Sequence, residues 1–156
     1  EASQVTGNLR ANSSGGNIRA QVIHGNASVW TSGGGIEADA IDGALTARTS
    51  GGWIRINGVA GRVDAHTSGG SIDAIFNKGD SQGGEMSTSG GWITVKLDPA
   101  VNLDLDAATS GGGVRCDLPV RTSGTFSRNR LHATLGAGGS ALRMRTSGGS
   151  IRISGL

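Results

Sequence analysis

The stretch Leu45-Thr46-Ala47-Arg48-Thr49-Ser50-Gly51-Gly52-Trp53-Ile54-Arg55-Ile56 contains the rule that organises the chain. Before the glycine pair, apolar Leu45 and Ala47 alternate with Thr46 and Arg48; after it, Ile54 and Ile56 alternate with Trp53 and Arg55. Alternation at period two on both sides of a glycine turn describes two half-buried β-strands meeting at a corner. The Ser-Gly-Gly triplet recurs, starting at Ser14, Ser32, Ser50, Ser68, Ser89, Ser110 and Ser147, in steps of 18, 18, 18, 21, 21 and 37 residues. Thr precedes six of the seven, at Thr31, Thr49, Thr67, Thr88, Thr109 and Thr146. The last step is about two periods and holds a partial echo at Thr122-Ser123-Gly124.

Alignment on the triplet exposes apolar columns. Before it stand Leu9, Ala27, Leu45, Val63, Gly84, Leu105 and Leu142, and two residues later Ala11, Val29, Ala47, Ala65, Met86, Ala107 and Met144. After it come Ile18, Ile36, Ile54, Ile72, Ile93, Val114 and Ile151, then Ala20, Ala38, Ile56, Ala74, Val95, Cys116 and Ile153. A second turn falls near Gly25, Gly43, Gly61 and Gly79. One such repeat cannot bury its apolar face alone, so neighbours must stack. The expected fold is all-β: a single-stranded parallel β-solenoid, or β-helix, of about seven to eight coils of 18–21 residues. The crossover rule favours a right-handed coil. An antiparallel sandwich of hairpins is the alternative, but hairpins do not require one side chain at one site in every repeat. Outward residues Arg19, Glu37, Arg55 and Asp73 alternate in sign, which suits coils stacked in register. The Thr column predicts a ladder of hydroxyls serving the corner backbone, and a solvent-exposed, ice-binding type of array is its sharper alternative.

Composition agrees. Glycine supplies 29 of 156 residues, which excludes a helical protein, since each helical glycine costs roughly 1 kcal/mol against alanine. Two prolines and no every-third glycine exclude collagen. A net charge of +2 gives no strong polyanion-binding field. The lone Cys116 excludes an internal disulfide and a cysteine-based zinc site. No stretch approaches the roughly 18 apolar residues of a membrane-spanning helix, so no integral membrane segment is expected. The chain begins with Glu1, as expected of a processed protein or a piece of a longer one. The reading is one domain, 1–156, with an irregular insertion at 119–140. Smaller expansions fall at Asn77 to Gly83 and at Lys96 to Leu103, around Pro99.

Chemical signals are few. His24, His66 and His132 share no metal-ligand spacing. The glycine turns match neither a phosphate loop nor a dinucleotide fingerprint, and Ser-Gly-Gly lacks the context of a nucleophile elbow. No catalytic residue, cofactor or metal is expected. The strongest ligand candidates are Trp53 and Trp92, two coils apart in one outward column with Ser71 between them, and Trp30 across the same corner. Spaced rings suit an extended glycan; the plainer reading has Trp53 covering Gly35 and Trp92 covering Gly113, as aromatics cover sheet glycines. Asp64, Glu85 and Asp106 would stack in another outward column flanked by His66 and Arg48, a weaker acidic-site candidate. Asp104 shares a strand face with Asp106. Arg121, Arg128, Arg130, Arg143, Arg145 and Arg152 make the C-terminal third basic, yet no aromatic interleaving points to nucleic acid.

The Thr-Ser-Gly-Gly-x-Ile repeats lead to Cys116-Asp117-Leu118-Pro119-Val120, Leu135-Gly136-Ala137-Gly138-Gly139 and a closing Leu142-x-Met144-x-Thr146-Ser147-Gly148-Gly149-Ser150-Ile151-x-Ile153. This resembles a bacterial β-strand-repeat family labelled adhesin, a domain of unknown function. The resemblance implies a β-solenoid in an extracytoplasmic setting (cell envelope, periplasm or secreted) without established enzyme activity. The expected function is a non-catalytic adhesive, scaffolding or interaction module. Candidate partners are a glycan or envelope polymer and further copies joined end to end through the coils near Val5 to Gly7 and Ser150 to Leu156. The alternative is a carbohydrate-binding or polysaccharide-acting protein using the Trp and acidic columns.

Overall fold

The computed structural model describes residues 1–77, 82–122 and 126–156, and every regular element among them is a strand. In chain order these are β1 (Ala2–Thr6), β2 (Leu9–Ser13), β3 (Ile18–His24), β4 (Ala27–Thr31), β5 (Ile36–Ile41), β6 (Leu45–Thr49), β7 (Ile54–Val59), β8 (Val63–Thr67) and β9 (Ile72–Phe76). They continue as β10 (Gly84–Thr88), β11 (Ile93–Leu97), β12 (Leu103–Thr109), β13 (Val114–Cys116), β14 (Arg121–Thr122), β15 (Arg130–Leu135), β16 (Ser140–Thr146) and β17 (Ile151–Gly155). Gly79, Ser123 and Gly124, named above as turn and echo positions, lie outside the described residues.

Each Thr-Ser-Gly-Gly corner joins an even strand to the following odd strand through β13, and likewise joins β16 to β17, so one repeat is one coil of a parallel β-solenoid. The columns align as the repeat requires: Ile18, Ile36, Ile54, Ile72 and Ile93 are consecutive register partners. Their side chains, with the Ala11 and Leu9 columns from the opposite sheet, form one buried core between the two sheets.

The threonines are buried, which removes the exposed-array alternative. Each Oγ1 donates to the second corner glycine's carbonyl in the adjacent coil, at 2.7–2.9 Å. It also accepts the N–H of the second glycine in its own corner, at 3.1–3.4 Å. The first coil has Ser13 in this place, and its Oγ accepts from Gly16. At these corner glycines, as at Gly52 against the Gly34 carbonyl, backbone of the adjacent coil occupies the space a Cβ would need.

Coil order departs from chain order. One sheet runs β1-β3-β5-β7-β9-β11-β17-β13 and the other β14-β15-β12-β16-β10-β8-β6-β4-β2. The last coil in sequence, β16–β17, is intercalated between the coils β10–β11 and β12–β13. Five residues, 98–102, link β11 to β12, against three at 42–44 and 60–62. The expansion around Pro99 thus supplies the reach for a double step of about 9.6 Å, twice the ordinary strand spacing. From Cys116 the chain passes through β14 and β15, which runs antiparallel along the outer edge of β12. Leu131, Ala133 and Leu135 of β15 close the core there, joined by buried Leu118. The glycine turn at 136–139 then wraps around the start of β12, held by Asn102 Oδ1 accepting from the Ala137 N–H at 2.8 Å. Gly136 and Gly138 take φ values of +63° and +75°, which a side chain would oppose. The Leu135-Gly136-Ala137-Gly138-Gly139 motif is therefore the strap that returns the chain to the reserved slot. Ser150 to Leu156, expected at an open end, sits inside the stack because β17 pairs with both β11 and β13.

A second irregularity repeats from coil to coil. Gln4, Val22 and Ala40 each have φ of +53°, and Gly58 follows at +67°. The pairing skips this file, passing from Gln21↔Asp39 to Ile23↔Ile41, so Ala20 and Ile23, three residues apart, both face inward. From β9 onward strict alternation returns, with Ala74 and Phe76 buried. Val22 is exposed and β-branched, the poorest residue type for this backbone.

Two stability measurements test these assignments. Thr67→Val leaves the Gly52 carbonyl and Gly70 N–H without their side-chain partner, with an expected cost of about 1–3 kcal/mol in denaturant unfolding. Thr67→Ser keeps most of that stability, and equal losses in the two variants would deny the ladder its role. Val22→Gly is expected to stabilise by about 0.5–1 kcal/mol, the left-handed strain of roughly 1–2 kcal/mol relieved less the entropy of a new glycine. A loss of stability in that variant would contradict the strained file.

Candidate functional site: a polar groove along the corner

The residue preceding each corner Thr points outward, and in-register stacking turns these positions into a file. In spatial order it reads Asn12, Trp30, Arg48, His66, Ser87, Arg145 and Ala108, with Arg130 of β15 beyond. Beside it run the exposed corner serines, including Ser32, Ser50, Ser68 and Ser89. Together they line two open depressions of about 480 and 820 Å³ that share Ser87 and Ser89 as a common wall. The first extends from Asn12 and Trp30 to Ser87; the second continues past Arg145 to Asn129 and Arg130 of the insertion. The insertion is tied there by Thr109 N–H donating to Asn129 O and Val114 N–H to Arg128 O. The result is a polar groove along the solenoid, with one exposed ring and three arginines on its walls.

The Trp candidates separate. Trp30, 49 % exposed, lines the groove. Trp53 lies against Gly35, its ring filling the space of the missing side chain, and the Arg55 guanidinium sits 5.1 Å from its ring centroid. Ser71 Oγ is engaged as the acceptor for the backbone N–H of Trp92 at 3.2 Å. Trp92 is 66 % exposed. Its expected neighbour Gly113 is a correction: intercalation places Ser150 beside Trp92, and the ring edge approaches Gly149.

The acidic column is also reordered. Asp64 and Glu85 are register neighbours, but Arg143 stands between Glu85 and Asp106. Asp106 Oδ2 lies 2.8 Å from Arg145 Nη2 and 3.6 Å from Arg143 Nε. Asp104, on the same face as Asp106, accepts from Thr134 at 3.0 Å. Asp64 has Arg48 Nη2 at 3.5 Å on Oδ2 and His66 Nε2 at 2.7 Å on Oδ1. Asp64 is thus paired with Arg48, and Asp106 with Arg145 and Arg143, instead of with another acid. Among the described residues no group of three His, Cys, Asp or Glu could hold a metal ion, and no helix is long and apolar enough to cross a membrane.

Residues 2–154 match the family profile described as Toastrack DUF4097. The chain belongs to the Toastrack family. No curated protein and no solved structure matches it. Toastrack membership brings a repeat-built β fold and no assigned activity, and its description does not carry the adhesin label of the earlier resemblance.

Ser87 is a groove residue that reading the sequence passed over, and Arg145 was named there only as part of the basic C-terminal third. Alignment on the triplet already puts Ser87 in the file with Trp30 and His66; Arg145 joins Ser87 only through the intercalated coil. Cys116, on the edge strand β13, is half-buried. Burial pushes its thiol above the ordinary range; a backbone hydrogen bond at Leu118 works against this, and the Asp117 charge adds to it. Its thiolate fraction at neutral pH is therefore smaller than that of free cysteine. Iodoacetamide is expected to alkylate it more slowly than free cysteine at pH 7, with the rate climbing as pH passes the usual thiol range. Mass spectrometry follows the adduct, and faster alkylation than free cysteine would show the thiol to be activated.

Proposed function

We infer that this Toastrack chain is an interaction module whose corner groove takes an extended acidic polysaccharide. The observation that carries the reading is the continuity of the groove: one file of side chains, held at the strand spacing, places Trp30, Arg48, Arg145 and Arg130 along a single track of hydroxyls. An exposed ring offers a stacking face for a sugar, and the arginines suit carboxylates on an acidic chain. The Arg48–Asp64 pair is exposed enough to be worth only about 0–1 kcal/mol and is cheap to exchange for a ligand's carboxylate, whereas the Arg145–Asp106 pair is half-buried. The envelope setting and adhesive or scaffolding role rest on the sequence resemblance and fit a rigid groove that presents one file to a polymer. Assembly end to end has less to support it, since β14 and β15 close one end of the stack. The edges of β1 and β2, where Val5 and Leu9 are only partly buried, remain for such contacts.

Calorimetric titration with polygalacturonate, with dextran as the neutral control, tests the reading. Binding is expected for the acidic polymer alone, to weaken with added salt, and to fall about tenfold, or roughly 1.4 kcal/mol, in Trp30→Ala while Trp92→Ala matches the wild type. Unchanged affinity in Trp30→Ala overturns the groove assignment. Equal binding of single-stranded DNA would reduce the ligand class to polyanions in general.

A further inference from the structure

Within the groove, three side chains from two adjacent coils form a connected chain of polar contacts. His66 Nδ1 lies 2.8 Å from Ser87 Oγ, and His66 Nε2 lies 2.7 Å from Asp64 Oδ1. Asp64 Oδ1 is shielded from solvent and receives no hydrogen bond of regular geometry. The Nε2 contact is close but lacks hydrogen-bond alignment, and a turn of the imidazole that aligned it would satisfy this oxygen, provided Nε2 carries the proton. That requirement selects the tautomer with a bare Nδ1, the nitrogen facing the Ser87 hydroxyl. Arg48, 3.5 Å from Oδ2, holds the other side of the carboxylate. On the far side of Ser87 the next register partner is Arg145. A hydroxyl thus faces an acceptor nitrogen of the adjacent coil on the wall shared by both halves of the groove, while the guanidinium of Arg145 is paired with Asp106.

We propose that Ser87 is an activated nucleophile that cleaves carboxylic esters presented in the groove, with His66 as its base and Asp64 as the residue that positions His66. Ser87 Oγ attacks the ester carbonyl carbon while its proton passes to His66 Nδ1, and Arg145, on exchanging its pairing with Asp106 for the substrate, stabilises the negative charge that grows on the carbonyl oxygen. The tetrahedral species collapses by breaking the bond to the alkoxy oxygen, which takes the proton from His66 and leaves as an alcohol. Water, deprotonated by His66, attacks the acyl-serine. Ser87 then leaves with that proton restored, releasing the carboxylic acid. Carboxylate, base and nucleophile follow the serine–histidine–carboxylate logic, although the ring nitrogens exchange the roles they have in the common arrangement. The ester of an acylated polymer would reach Ser87 along the open groove. The chemistry does not depend on the polymer reading, because a small ester reaches the same hydroxyl. It departs from the expectation of a non-catalytic chain.

The full chain is treated with a fluorophosphonate probe and the adduct mapped by mass spectrometry, and p-nitrophenyl acetate supplies the turnover assay. The probe is expected on Ser87 and not on Ser68 or Ser89, and S87A abolishes both adduct and turnover. His66→Gln slows labelling at least about a hundredfold, the scale of general-base assistance. Asp64→Asn lowers kcat with KM unchanged, a split that a loss of local structure would not give. Thermal midpoints check that the variants fold; if one does not, the wild-type selectivity for Ser87 over Ser68 and Ser89 decides alone. No adduct on Ser87, equal labelling of the three serines, or full-rate labelling in His66→Gln overturns the proposal. Failure of polygalacturonate binding beside selective Ser87 labelling would remove the polymer reading and leave this one standing.

Discussion

The hydroxyl of the corner threonine is the constraint from which the rest of the structure follows. In one position it closes its own corner by accepting a glycine N–H, and binds the adjacent coil by donating to a glycine carbonyl. Both services require that equivalent corners superpose, which fixes coil register to the residue. Register in turn forbids side chains on the second corner glycine, because the neighbouring carbonyl already fills the space. Glycine at that second corner position is thus a consequence of close stacking, not a source of slack. The ladder follows space and not sequence: Thr146 donates to Gly91 and Thr109 to Gly149 across the intercalated coil.

That distinction marks the boundary of what the sequence discloses. Columns through Ile18, Ala20, Leu9 and Ala11 were legible because alternation at period two is a local property, and their inward direction follows from it. Coil order was not legible, since every repeat carries the same corner and each therefore fits any slot. The features that accompany the displaced coil are the five-residue linker at 98–102 and a glycine strap at 136–139, neither of which announces where the chain must return. The left-handed file at Gln4, Val22 and Ala40 was hidden for a related reason: only its member at Gly58 has the residue type that such a backbone normally demands.

The site shows the same division. Trp30, Arg48, His66 and Ser87 belong to consecutive repeats in both sequence and space, so alignment alone places them in one file. Trp92 with Gly113, and Glu85 with Asp106, were paired on the premise that neighbouring repeats are neighbouring coils. Both pairings fall at the single point where the premise fails, with Ser150 and Arg143 occupying the intervening positions. Arg143 also changes the electrostatics, since it puts a cation where an uninterrupted acidic column was expected.

A solenoid concentrates chemistry differently from a globular core. Its inward columns repeat because packing leaves them little choice, whereas an outward file can vary freely and still hold its members at about 4.8 Å intervals. Residues 21 apart in sequence, such as His66 and Ser87, come within hydrogen-bond reach without a loop to bring them together. Their alignment costs little additional ordering, because the threonine ladder and the strand pairing have already fixed both backbones. Strand geometry alone would leave the His66 ring free to turn. The nearby Asp64 carboxylate supplies a preference among those orientations, and Arg48 supplies one for the carboxylate. A site of this kind needs no catalytic loop and no motif contiguous in sequence, so a search for either passes over Ser87, and it is alignment of the repeats, realised as coil register, that sets it beside His66.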